Sequence, residues 1–253
     1  MIDLTGKRAL VTGGSRGIGA ATSQLLASCG ASVAVSYRHR AAEAEAMVRT
    51  LTGMGRGIRS FAHAAELSDP AAVDALFARV EREWGGLDIF VGNAGIWPVE
   101  DVPVSDMTDV RWSRTVAENI DGMFYSTRAA LRLMGPGGRI VLISSTAGQR
   151  GESMHADYAA SKGAMISFVK SIAVEVGSRQ ITCNSVAPGW VDTEMCVEPF
   201  AAGGRDRIAA GIPVGRIATP HDIAAPVVFL CSAEARHVNG EILNVNGGSV
   251  LCG

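Results

Sequence analysis

Seven short runs rich in Val, Ile and Ala alternate along the chain with longer stretches of helical periodicity, and this alternation constrains the fold more than any other feature. The runs are 8–12, 32–36, 57–62, 87–92, 139–144, 181–186 and 242–245. Strands separated by helices indicate βαβ units, whose right-handed crossovers place helices on both faces of a sheet. The expected fold is α/β: a doubly wound Rossmann fold with a seven-stranded, mostly parallel sheet. With 253 residues, 47% of them hydrophobic, the chain can bury a full core as one domain, 1–253. Its least regular stretch, about 191–213, is expected to be either a plain surface loop or a mobile substrate lid.

Several functions are disfavoured at once. The net charge is −2 without a run of like charge, so neither nucleic acid nor an anionic membrane is an expected partner. No apolar run approaches the roughly 20 residues that span a bilayer. The first residues lack the basic, apolar and small-residue sections of a signal peptide, so a cytoplasmic location is expected. Cys29, Cys183, Cys196, Cys231 and Cys252 are scattered without a CxxC pair, which fits reduced thiols and no metal site.

The first run leads directly into Thr12-Gly13-Gly14-Ser15-Arg16-Gly17-Ile18-Gly19, followed by an Ala/Leu-rich helical stretch. Glycines here permit a tight turn and let backbone N–H groups approach a pyrophosphate at a helix N-terminus, so Gly13, Ser15, Arg16, Gly17, Ile18 and Gly19 are the candidate dinucleotide cradle. Farther along, Tyr158 and Lys162 stand four residues apart within a helical stretch, 156–176, and so share a face. An ammonium beside a phenol favours tyrosinate, which is expected to lower the Tyr158 pKa toward the range useful to a general acid or base. Ser145 closes an apolar run, at the sheet edge where open α/β folds bind ligands.

The spacing TGxxxGxG, Asn93-Ala94-Gly95 after the fourth run, Ser145, YxxxK at Tyr158 and Lys162, and Pro188-Gly189 after the sixth run together resemble the short-chain dehydrogenase/reductase family over nearly the whole chain. In length and layout the chain is similar to the family's acyl-carrier-protein ketoreductases. One departure is Gly92, where the family carries a first Asn of structural role; its absence is expected to weaken the sheet locally. The resemblance implies a catalytic set of Asn119, Ser145, Tyr158 and Lys162, with Ser145 rather than Ser144 because it stands thirteen residues before the tyrosine. It implies cofactor contacts from Asn93, Ala94, Gly95, Pro188, Gly189, Val191 and Thr193. It also places Glu66-Leu67 beside the adenine, where the family has Asp-Val. Read for its residues alone, Asn119 is a structural helix residue.

Where NAD-binding folds carry a carboxylate at the end of the second strand, this chain has Ser36-Tyr37-Arg38-His39-Arg40. Tyr37 stands where NAD-selective relatives have Asp. Arg38 offers charge-assisted contacts to a phosphate, and Arg16 is similar to the second basic residue of NADP-preferring relatives. NADP(H) is the expected cofactor, with Arg40 read as a solvated surface charge. The implied reaction is reduction of a ketone or acyl thioester, or its reverse, with Tyr158 as general acid or base. An NAD-linked alcohol dehydrogenase and a non-catalytic NADPH sensor are the competing readings.

Trp97, Gln149, Met154, His155, Trp190 and Met195 flank the matched motifs and are candidates for the substrate pocket, each apolar one equally a core residue, and His155 either an exposed loop residue or a second acid. The 156–176 stretch is apolar or small around most of its circumference and needs a second burial partner beside the sheet. With the tail Val250-Leu251-Cys252, it suits the homotetramer common among such relatives. Close packing within one subunit is the alternative.

Overall fold

Along β1 (Arg8–Val11) the side chains alternate, sending Leu10 to one face of a sheet and Ala9 and Val11 to the other. The chain continues through α1 (Gly17–Ser28), β2 (Ser32–Tyr37), α2 (Ala41–Thr52), β3 (Phe61–Ala64), α3 (Pro70–Trp84), β4 (Leu87–Gly92), α4 (Asp109–Val116) and α5 (Gly122–Leu133). It then forms β5 (Met134–Ile143), α6 (Thr146–Arg150), α7 (Ala156–Val176), β6 (Thr182–Pro188), α8 (Val197–Phe200), α9 (Gly204–Ala210), α10 (Pro220–Leu230) and β7 (Ile242–Val245). This computed structural model describes residues 2–55 and 57–251, so Cys252 of the thiol set and of the apolar tail lies outside the described residues.

The strands form one sheet in the order β3-β2-β1-β4-β5-β6-β7, and every pairing is parallel. Alternation divides the core in two. Ala9, Val11, Val35, Val91 and Val141 pack against α1, α2 and α10, whereas Leu10, Ala34, Phe90, Ile140 and Leu142 pack against α3, α5 and α7. Helices therefore cover both faces, the doubly wound arrangement that the period of the apolar runs predicts.

Two strands differ from the sequence expectation for identifiable reasons. Before β3, the Ser32 hydroxyl oxygen accepts from Arg59 N at 3.0 Å and the Ser60 hydroxyl oxygen accepts from Val33 N at 3.4 Å, so serine side chains replace backbone pairing and the ladder begins only at Phe61. On β5, Leu87 pairs with Met134 but Ile89 with Arg139, and Gly135, Pro136, Gly137 and Gly138 bulge out between those pairs. The expected weakness at Gly92 is filled: a Cβ there would fall 2.6 Å from Leu142 Cδ2, so the leucine occupies the space of the missing side chain. The stretch 191–213 is not a plain loop, because it contains a short turn at Glu194–Cys196 followed by α8 and α9. It is tied back by a bridge between Val191 and Ala218.

Candidate active site and cofactor groove

The chain runs outward from β1 to β2 and β3, then returns to β4, so a crevice opens at the carboxyl ends of β1 and β4. A groove of about 380 Å³ lies there, reaching from Arg16 and Arg38 at one end to Tyr158 and Trp190 at the other. Gly13, Ser15, Arg16, Gly17 and Ile18 line it; Gly19 lies behind them, packed so closely that a Cβ would fall on the Gly13 carbonyl oxygen. Gly17 adopts φ +51° and starts α1, whose N-cap residue Arg16 makes no side-chain capping bond. The first N–H groups of the helix are thus left for another acceptor.

Asn93 joins β4 to this turn, donating from Nδ2 to Thr12 O at 2.9 Å and Gly13 O at 3.3 Å. Thr12 Oγ1 accepts from Asn93 N and Ala94 N at 2.9 and 3.0 Å. Both Asn93 and Ala94 line the groove, as do Gly95, Leu67, Pro188, Gly189, Val191 and Thr193.

At the basic end each arginine has a carboxylate partner. Arg38 Nη1 lies 2.6 Å from Glu118 and 3.3 Å from Glu66, and its hydrogen bond to Glu118 is the main cause of its raised pKa. Glu66 also accepts from Ser68, Oγ to Oε1 at 3.0 Å. Arg16 and Arg40 share Glu194, at 2.7 and 2.9 Å. Arg40, expected as a solvated surface charge, therefore joins the groove wall beside Tyr37 and Arg38. The pairs Arg38–Glu118 and Arg16–Glu194 carry no local sequence signal, because their members are distant in the chain.

At the other end, Ser145 caps α6, accepting from Ala147 N at 3.1 Å, and lines the groove with Tyr158 and Lys162. Ser144 instead spends its hydroxyl on Lys162 O at 2.9 Å. Lys162 is buried and donates from Nζ to Ile143 O at 2.8 Å, with the ammonium 5.7 Å from the Tyr158 ring centroid. Burial pulls the Lys162 pKa down to about 8. The expectation of a lowered Tyr158 pKa is corrected here. Burial pushes that phenol upward, Ser145 opposes the shift, and the charges of Glu152 and Cys196 add to it. The Tyr158 phenol is accordingly held protonated.

Asn119 is buried and does not line the groove. It sits in a π-helical turn, Ala117–Asp121, between α4 and α5. Its Oδ1 accepts from Ile96 N at 2.8 Å, and its Nδ2 donates to Ile96 O at 2.9 Å and to Ser161 Oγ at 3.0 Å. A Cβ on Gly95 would meet Asn119 Oδ1 at 3.0 Å and Lys162 Nζ at 3.5 Å, so all three residues meet at one point.

Trp97, Trp190 and Met195 lie in the groove wall next to Tyr158, whereas Gln149, Met154 and His155 do not. Gln149 donates to Asn244 Oδ1 at 2.5 Å, and the exposed Met154 turns away at φ +68° with its carbonyl accepting from Val102 N. His155, at 3% exposure, is neither a loop surface residue nor in the wall: it stacks behind Trp97 with centroids 4.7 Å apart. Arg150, Glu152 and Cys196 complete this end of the groove, and sequence reading passed over all three as site residues.

A family model described as enoyl-(acyl carrier protein) reductase matches residues 13–249. The chain is 39% identical over 252 residues to 3-oxoacyl-[acyl-carrier-protein] reductase FabG of Vibrio cholerae, covering 99% of this chain and 100% of that protein. It is 40% identical over 258 residues to versicolorin reductase 1 of Aspergillus parasiticus, covering 97% of each. The structure superposes with TM-score 0.90 on a short-chain dehydrogenase from Burkholderia cenocepacia J2315 solved in complex with NADP, at 39% identity over 97% of this chain and 98% of that one.

Proposed function

The chain belongs to the short-chain dehydrogenase/reductase family, and from that premise we propose that it reduces a ketone with NADPH, using Tyr158 as the proton donor. The observation that carries this reading is that Ser145, Tyr158 and Lys162 share one groove with the glycine turn. The groove fits the cofactor on its own terms. It offers uncapped helix N–H groups for a pyrophosphate and three arginines, Arg16, Arg38 and Arg40, at one end for a phosphate. Its relative from Burkholderia was solved with NADP.

When bound, the nicotinamide supplies a hydride to the carbonyl carbon. Tyr158, neutral through burial, gives its phenolic proton to the carbonyl oxygen, and Ser145 hydrogen-bonds that oxygen. Lys162 holds the nicotinamide ribose, and Asn119 fixes the Ile96 backbone and the approach of Gly95 to Lys162. In the reverse direction Tyr158 accepts the proton. The stretch 191–213, carrying Thr193 and Met195, serves as the substrate lid. The relatives named for 3-oxoacyl-[acyl-carrier-protein] and for versicolorin bracket the carbonyl compounds to be tried.

The test is the loss of NADPH absorbance with acyl thioesters and with cyclic, aromatic and aliphatic ketones. Turnover of at least one class is expected. Failure with all, with NADPH still bound, would leave the sensor reading in its place. Assembly as a homotetramer is part of the same proposal, and the apolar Val174 side chain, 85% exposed on α7, favours a contact there.

A further inference from the structure

The contact between α4 and α7 is a polar seam. Arg111 and Thr115 on α4, and Asn119 in the π-helical turn that follows, stand four residues apart and all reach α7, where Asp157 and Ser161 share one face. Thr115, Asn119, Asp157 and Ser161 are buried. At the head of the seam Arg111 grips the Asp157 carboxylate, Nε to Oδ2 at 3.2 Å and Nη2 to Oδ1 at 3.5 Å, and Thr115 Oγ1 donates to the same Oδ2 at 2.8 Å. Four residues on, Asn119 Nδ2 donates to Ser161 Oγ at 3.0 Å, and Ser161 donates to Tyr158 O at 2.7 Å.

The Arg111 guanidinium also reaches two backbone carbonyls, with Nη1 donating to Glu100 O at 2.7 Å and Nη2 to Met154 O at 3.5 Å. The Met154 carbonyl accepts from Val102 N as well, at 3.1 Å. Met154 holds φ +68°, a left-handed conformation that a residue with a side chain keeps only where its surroundings fix it. Arg111 therefore clips two segments to α4: the one that follows Trp97 and the turn that leads into α7. Trp97 and Tyr158, which these segments flank, both line the groove, whereas Arg111 does not.

No other arginine–carboxylate pair among the described residues is buried as deeply as Arg111 and Asp157. Desolvation offsets most of the attraction in such a pair, so it adds little stability over an apolar contact while fixing one arrangement of its neighbours. Here the arrangement is the rotation of a helix. Tyr158 and Lys162 each follow a seam residue, Asp157 or Ser161, by one position, which is about 100° around the helix axis. Pinning the face of Asp157 and Ser161 to α4 turns the face of Tyr158 and Lys162 to the groove.

We propose that Arg111 is a positioning residue, which through Asp157 sets the first turn of α7 so that the Tyr158 hydroxyl meets a carbonyl held at Ser145. This rests on the ketone-reducing reading above and adds to it a residue outside the groove. Because Arg111 does not line the groove, its loss is felt in the chemical step rather than in cofactor binding.

The experiment compares the wild type, the double variant Arg111→Met/Asp157→Leu, which leaves no unpaired charge in the seam, and Arg111→Lys. With a ketone that the wild type reduces, the double variant should lose about 10–100-fold in kcat, while the NADPH dissociation constant stays within about twofold. Arg111→Lys should fall between the two, because an ammonium keeps the charge opposite Asp157 but not the fork that also reaches Glu100 and Met154. Amide hydrogen exchange with NADPH present is read alongside: residues 97–103 and 154–160 should exchange about tenfold faster in the double variant, with the sheet unchanged. A kcat within about twofold of the wild type, or faster exchange spread evenly over the protein, would overturn the assignment and leave the seam a source of stability only. Should the double variant not fold, Arg111→Lys carries both readings. If the wild type reduces no ketone, the ketone-reducing reading fails and exchange alone decides: local acceleration supports the positioning of α7 by Arg111, and an even or absent one rejects it.

Discussion

Lys162 is 4% exposed with its ammonium on the Ile143 carbonyl, and burial lowers its pKa to about 8. The sign follows from desolvation: the cation persists below about pH 8 and gives way to the neutral amine above it. Tyr158, shifted upward, stays protonated across this range, so the acid for reduction is not the group that titrates. The kcat/KM for ketone reduction should be level below about pH 8 and fall toward tenfold per pH unit above it. A pH–rate profile checks this; a profile flat to pH 10 would contradict it. The four-residue spacing of this pair was legible because it depends only on helix geometry. The direction of the Tyr158 shift was not, because its causes, burial and Glu152, are tertiary. The same holds for Glu194, which reaches Arg16 across 178 positions of sequence.

At the scale of elements, the glycine turn joins fold to site. Gly19 packs onto the Gly13 carbonyl, a backbone atom that cannot rotate away. Gly19→Ala should cost roughly 1–3 kcal/mol of stability through overpacking and also weaken NADPH binding, because the turn that lines the groove must shift. Denaturant unfolding and a cofactor titration measure the two effects; unchanged values would show that the turn is not under this constraint. Helix α7 was readable to its end residues, since its periodicity and composition are unbroken over Ala156–Val176. The start of β3 was not, because Ser32 and Ser60 side chains take over the pairing that apolar content alone would assign to backbone. Nor was the π-helical turn at Ala117–Asp121, where Asn119 clamps the Ile96 backbone: nothing in Glu118-Asn119-Ile120 marks an added residue per turn.

For the whole molecule, right-handed crossovers place helices on both faces once the strands are recognised, whereas the strand order is seen only in the structure; the return of the chain from β3 to β4 brings Asn93-Ala94-Gly95 beside the glycine turn at one crevice. Two exposed apolar groups, Val174 on α7 and Phe124 on α5, fit a second burial partner, and light scattering should report four chains per particle. A monomer would mean that these faces remain in water. No helix among the described residues is long and apolar enough to cross a membrane. The most direct measurement for the central claim is the turnover of Tyr158→Phe with saturating NADPH and a ketone that the unaltered protein reduces. Removal of the acid should lower kcat by about 10²–10⁴-fold while the NADPH dissociation constant stays within about twofold. Near-normal turnover by the folded variant would contradict Tyr158 as the proton donor.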